Sequence, residues 1–328
     1  MKYLFEAIPI PLSGVMLAFF SLGNLLHELQ ITNAAHLSFF VGIVLFLLLL
    51  GKLVFATNSV VTEMQNPIIA SVSPTFTMGT LALSSGLHYY GISSSISHTL
   101  WILAAVTQIF IICYFFITFI WKKKITITDI FPSWLILFVG TAVMPLTAKD
   151  LSGGFTQSIV IFAFCAFLIV APIVILRGFI RNDLPEPTIP MLAILSAPAS
   201  LILAAYLEQF QHVVGIIIAL YVIAQLLFLL VVSKLPSMLK LQFYPSYAAM
   251  TFPLVISATT TNAVLHTLEL QGMTKSILTS YFYIQLFLAV CIVGYVLIRY
   301  INYLSIQVRA KSHQAMSEQQ VLPQNSTK

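Results

Sequence analysis

Long uncharged stretches alternate with short clusters of charge along the whole chain. Windows free of Asp, Glu, Lys and Arg run over residues 7–27, 29–51, 64–121, 130–148, 151–176, 187–207, 209–233, 241–268 and 276–298. A helix needs about 20 apolar residues to cross a hydrocarbon core of about 30 Å, so most windows predict one spanning helix each. The window 64–121 is too long for one, and HYYGISSSISH at 88–98 supplies the glycine and serines of a turn. Ten spans are expected, with the fifth, near 133–148, the shortest.

The odd and even spans differ in kind. Pro11, Pro74, Pro145, Pro198 and Pro253 lie in spans 1, 3, 5, 7 and 9, whereas spans 2, 4, 8 and 10 have no interior proline and Pro172 sits near one end of span 6. Hydroxyls cluster beside these prolines: Ser13, Thr75, Thr141, Ser200, Thr251 and Ser257 among them. Even spans read as VGIVLFLLLL or IIIALYVIAQLLFLLVV, apolar nearly all round, as suits helices facing lipid. The expected architecture is all-α, a helical hairpin repeated five times, with odd helices inside and even helices outside. A helix that only has to dissolve in lipid has no use for the Ser, Thr and Asn of SYAAMTFPLVISATTTNAVLH, or for the donor removed by Pro253. That stretch reads as the wall of a polar path. These prolines and hydroxyls are its candidate lining.

Composition agrees with a membrane protein: 59% of the 328 residues are hydrophobic, 8% are charged, and the mean hydropathy is +0.99. Basic residues stay on the cytoplasmic side of short loops. With both termini inside, 15 Lys and Arg sort to that side except Lys149 and Lys275. The net charge of +5 follows from this topology and calls for no nucleic-acid partner. No cleavable leader is expected, because Glu6, Pro9 and Pro11 interrupt the segment after Lys2. The chain divides into a channel-like membrane domain, 1–305, and a polar tail, 306–328, expected to be disordered. Asn325 starts a glycosylation pattern within that tail and is assigned no role.

No charged residue falls in the interior of a predicted span, which argues against an ion-coupled pump, because coupling ions are held by such groups. Lys149 and Asp150 are a possible external pair. His27, His36, His88, His98, His212 and His266 lie near predicted outer ends without metal-site spacing. Cys113, Cys165 and Cys291 fall at lipid depth, as small apolar filler. No nucleophile elbow, phosphate loop or dinucleotide pattern occurs. Catalysis, a metal and a cofactor are not expected.

IPIPLSGVMLAFFSLGNLL, SPTFTMG, FYPSY and above all AAMTFPLVISATTTNA resemble the tellurite-resistance/dicarboxylate transporter family, which includes bacterial tellurite-resistance anion channels and plant slow anion channels. The resemblance spans the chain. It implies ten transmembrane helices, as five tandem hairpins about a quasi-fivefold central pore, and a plasma-membrane homotrimer with one pore per protomer. It further implies that a phenylalanine of the ninth helix closes the pore, at the position of Phe252, with Phe76 and Phe138 as secondary rings. The implied function is a passive channel for small inorganic anions or short carboxylates; the alternative is a proton-coupled C4-dicarboxylate permease, with malate the obvious cargo. Anions would be met by hydroxyls and backbone N–H groups.

Overall fold

The computed structural model describes residues 2–122, 125–148 and 153–321. Among them no strand occurs, and ten long helical segments follow one another. They are α1 (Leu12–Glu28), α2 (Thr32–Phe55), α3 (Pro67–Tyr90), α4 (Ser94–Trp121), α5 (Ser133–Thr147), α6 (Gly154–Arg181), α7 (Glu186–Gln209), α8 (Val214–Leu239), α9 (Pro245–Thr267) and α10 (Gly272–Val321). Eight of these, all but α1 and α5, are long and apolar enough to cross a membrane; α1 has 17 residues and α5 is shorter still. The turn expected in 88–98 forms at Gly91, whose φ of +67° favours a residue without a side chain.

Some boundaries differ from the expected ones. Helix α8 continues to Leu239 and takes in Lys234 and Pro236, so an even helix does carry a proline near its end. Helix α10 runs on through Val321, over part of the segment expected to be disordered. No Gly or Pro follows Gly294 until Pro323, and lengthening an existing helix is far easier than starting one. Lys149, Asp150 and Asn325 lie outside the described residues.

Each odd helix is interrupted near its proline. Helix α1 starts straight after a turn at Pro9–Pro11, and α3 breaks at Ser73 between Pro67–Val72 and Pro74–Gly86. A 3₁₀ turn, Val139–Ala142, interrupts α5. Helices α7 and α9 open as 3₁₀ segments, Glu186–Ser196 and Pro245–Met250, and become α-helical at Ala197 and Phe252. Such breaks leave carbonyls without their usual donors, which is costly where water is absent. Beside every break one hydroxyl donates to the carbonyl three residues back. The pairs are Ser13 to Ile10 (2.7 Å), Thr75 to Val72 (2.8 Å), Thr141 to Phe138 (2.7 Å), Ser196 to Ala193 (3.0 Å) and Thr251 to Ala248 (2.6 Å).

The odd helices pack in a closed ring: α1 on α3, α3 on α5, α5 on α7, α7 on α9 and α9 on α1. Each seam carries a hydrogen bond. Ser13 and Thr75 share one between hydroxyls (2.6 Å), Ser71 donates to Ser133 (2.7 Å), and the Gln209 amide donates to the Pro145 carbonyl (2.8 Å). Thr260 donates to the Ser200 carbonyl (2.9 Å), and Thr251 closes the ring on the Gly14 carbonyl (3.2 Å). Every odd helix also packs against the even helix that follows it. Burial separates the two sets: within the apolar 18-residue stretch of each helix, 94% of residues are buried in α7 and 78% in α3 and α9, against 28% in α4, 33% in α6 and α8, and 39% in α2 and α10. In α1 only Ser21, Asn24, His27 and Glu28 escape full burial.

The α1–α2 pair meshes through reciprocal notches. A Cβ on Gly23 would lie 2.7 Å from the Phe39 ring, and a Cβ on Gly42 would lie 2.7 Å from the Phe20 ring. Gly42→Leu should therefore push α2 off the ring and cost about 1–3 kcal/mol, as overpacking does, read as a lower unfolding temperature in detergent.

Two cations assigned above to loops are buried in helix ends. Lys52, in the last turn of α2, donates to the Ile8 carbonyl and to Glu63, both at 2.5 Å. Glu63, from the short helix Thr57–Met64, also accepts from Ser59 (2.9 Å) and from the Ile10 N–H (3.3 Å), so it anchors the start of α1. Arg177 donates to Asp183 (2.9 Å) and to the Ile130 carbonyl (2.7 Å), and lies over the Phe131 ring. Burial is tolerated because each cation has a carboxylate and a carbonyl as partners. Glu63→Gln should cost about 3 kcal/mol, the low end for a broken buried pair, because Glu63 keeps 22% of its side chain exposed. Lys52→Met combined with Glu63→Leu should recover most of the loss in the same thermal unfolding measurement.

Candidate functional site

The ring encloses two cavities in sequence. The proximal one, between the N-terminal halves of the odd helices, has a volume of about 40 Å³. All five odd helices line it, through residues such as Pro11, Thr75, Val139, Pro198 and Pro253. Its wall is apolar apart from Thr75 and Ser246, and both of these hydroxyls are already engaged: Thr75 with Val72 and Ser13, Ser246 with the Pro187 carbonyl. The distal cavity, toward the C-terminal ends, has a volume of about 150 Å³ and is more polar. Ser21, Asn24, Glu28, Ser85, Glu208 and Thr259 contribute to it.

Phe252 belongs to both walls and is the residue they share. Its position follows from the local chain. Thr251, at φ −89° and ψ −75°, ends the 3₁₀ segment and is held by its bonds to Ala248 and Gly14. Pro253 fixes the next turn, so the helix restarts with the Phe252 ring 7% exposed between the cavities.

The sequence-derived candidates separate into two groups. Pro11, Thr75, Pro198, Phe252 and Pro253 line the axial cavities. Ser13, Pro74, Thr141, Pro145, Ser200, Thr251 and Ser257 line neither. Their polar groups are spent on structure: Ser257 donates to Pro253 (2.9 Å) and Ser200 to Ser196 (3.3 Å), in addition to the bonds above. The two secondary phenylalanines also face away. Phe76 stacks on Phe46 of α2, with ring centroids 5.6 Å apart, and Phe138 packs against Phe115 of α4 and Trp134. Aromatic neighbours on the outer helices bury these rings better than the narrow axis would.

The distal polar residues were not anticipated. Ser21, Asn24 and Glu28 are spaced three and four apart, which places them on one face of α1, and that stripe was the available signal. Glu208 closes α7 in the same way. Asn24 also donates to the Ala82 carbonyl of α3 (2.9 Å). Beside this cavity His27, His36 and His88 come together with Tyr89 and Tyr90: His27 stacks on Tyr89 at 4.4 Å, and His36 hydrogen-bonds the Tyr90 hydroxyl at 3.0 Å. His98 joins His88 in the wall of a separate pocket, and His212 bonds the Leu207 carbonyl. Among the described residues no group of three or more His, Cys, Asp or Glu could hold a metal ion.

A search of curated proteins finds no match. Comparison with protein families matches residues 8–298 to SLAC1, described as voltage-dependent anion channel. That match covers the whole helical ring and its outer layer, so this multi-pass membrane protein belongs to the SLAC1 family of voltage-dependent anion channels.

Proposed function

We propose that the chain is a passive anion channel whose path runs through the two axial cavities and is closed by the Phe252 ring. The observation that carries this reading is that Phe252 is common to both cavities. An apolar constriction excludes ions by dewetting and opens when its ring turns aside. In this reading all ten helices cross the bilayer as five hairpins about a quasi-fivefold pore, with both termini cytoplasmic, and the protein works as a plasma-membrane homotrimer with one pore in each protomer. Small inorganic anions or short carboxylates are the cargo.

Anion preference is supported by the kinks. Four α-helical pieces, beginning at Leu12, Pro74, Ala197 and Phe252, start beside the proximal cavity, and a helix start carries partial positive charge. The carbonyls that would oppose it are covered by the back-bonded hydroxyls. Hydroxyls thus act on the ion indirectly, by screening carbonyls, rather than as its ligands. With the N-terminal side cytoplasmic, the inside-negative potential drives anions outward, by about 2.3 kcal/mol per charge per 100 mV. Glu28 and Glu208 at the distal mouth disfavour their return.

Phe252→Ala should raise single-protein anion current at least about tenfold in planar bilayers, consistent with removal of a dewetted barrier of about 1.4 kcal/mol or more. An unchanged current would remove the ring from the gate.

The same two carboxylates favour one second reading. A proton-coupled C4-dicarboxylate permease needs protonatable groups on its path, and Glu28 and Glu208 stand there. In proteoliposomes with an imposed malate gradient, a channel gives no stoichiometric change of internal pH. Alkalinisation or acidification in fixed ratio to malate, abolished by Glu28→Gln or Glu208→Gln, selects the permease.

A further inference from the structure

We propose that the groove between α4 and α6 is a binding site for one acyl chain of an anionic phospholipid, whose headgroup is held by Lys122 and Arg181. The groove has a volume of about 680 Å³, and α5 forms its floor through Trp134 and Phe138. Its wall consists of residues such as Ile112, Phe116, Phe162 and Ile169, with no polar surface. An apolar cavity of about 150 Å³ already accepts a benzene ring, so this one has room for a long hydrocarbon chain. It opens on the face where Phe110, Phe116, Ile117, Phe162 and Ile169 are exposed. The available occupant on such a face is hydrocarbon.

Three further features choose a lipid with a charged head. Trp121, at the end of α4, is 79% exposed, and tryptophan so placed marks the headgroup level of a bilayer. Lys122 follows it directly, and Arg181 ends the other flanking helix; both are exposed. Both flanking helices finish in a π turn, Phe116–Trp121 and Leu176–Arg181, the two π segments among the described residues. Such bulges recur at functional sites.

The site bears on the pore because α5 separates the groove from the proximal cavity. Trp134 and Phe138 face the groove while Leu135, Ile136, Val139 and Gly140 face the proximal cavity. A chain in the groove supports that wall from outside.

The test uses quenching of tryptophan by phospholipids brominated on their acyl chains. In the Trp101→Phe/Trp121→Phe protein Trp134 is the single emitter. We expect brominated phosphatidylglycerol to quench it with a roughly thirtyfold preference over brominated phosphatidylcholine, as two cations near the surface give at about 1 kcal/mol each. Lys122→Gln/Arg181→Gln should abolish that preference, and Ala166→Phe, which fills the groove, should cut the quenching itself. Trp101 donates to Thr147, so if the double variant fails to fold, the difference between wild type and Trp134→Phe reads the same component. Three results overturn the proposal. They are Trp134 left unquenched in the double variant while the Trp134→Phe protein, which keeps Trp121, is quenched, as when a second copy covers the groove; equal quenching by both headgroups; and quenching unaffected by Ala166→Phe.

Discussion

A backbone carbonyl inside a bilayer has no water to turn to, and the architecture of this protein follows from how five broken helices meet that constraint. Each proline or 3₁₀ break deprives carbonyls of donors. In each odd helix a Ser or Thr answers with a bond to the carbonyl three residues back. Such a bond contributes about 1 kcal/mol net, in addition to the backbone bonds that the Ile10 and Ala248 carbonyls already accept from the N–H groups of Ser13 and Thr251. The same hydroxyls lie within reach of the next helix, Ser13 of Thr75 and Thr251 of the Gly14 carbonyl, so that the hydrogens of these groups are divided between the kink and the seam.

Using hydroxyls in this way leaves an axis that is nearly free of them. The proximal cavity shows its occupant hydrocarbon, two engaged hydroxyls and the starts of helices. Fixed charge is kept to the ends, where Lys52 with Glu63 and Arg177 with Asp183 clamp helices, and where Glu28 and Glu208 rim the distal cavity. As the proposed ion path, a route with no full charge along its narrow part binds ions weakly. Weak binding suits conduction, because an ion must leave as readily as it enters.

Much of this was legible in the sequence, because the signals involved are long and local. Charge-free windows marked the helices, and the alternation of kinked and apolar spans separated inside from outside, since burial of polar residues needs neighbours that lipid does not provide. The side-chain directions were not legible. Ser13 and Thr141 have the same composition and flanking proline as a pore-lining residue would, but whether a hydroxyl points at the axis or back at its own helix depends on a rotation that no spacing records. Phe76 and Phe138 illustrate the same limit, being drawn outward by Phe46 and Phe115. The burial of Lys52 is not legible either, because its partner, Glu63, comes from another element. The stripe Ser21, Asn24, Glu28 has helical spacing, but Glu208, which shares its cavity, lies on another helix.

If the Phe252 ring closes the pore as proposed, the cavity sizes give its movement a direction. A benzene ring needs a space of about 150 Å³, which the distal cavity has and the proximal cavity, at about 40 Å³, lacks. A phenyl side chain leaving the axis therefore swings toward the distal side, away from the hydroxyl-capped kink that carries it. Forty cubic ångströms also holds few waters, given that one needs at least about 10–15 Å³ of such volume. An anion entering from the N-terminal side must shed most of its hydration shell or wait for the ring of helices to widen. The proposed opening thus requires two movements: rotation of one side chain into space that already exists, and a small separation of helices whose seams are held by few hydrogen bonds, as by Ser13–Thr75 and Asn24–Ala82 between α1 and α3. The second is the harder, because the seam hydrogen bonds and the kink carbonyls share donors at Ser13, Thr75 and Thr251.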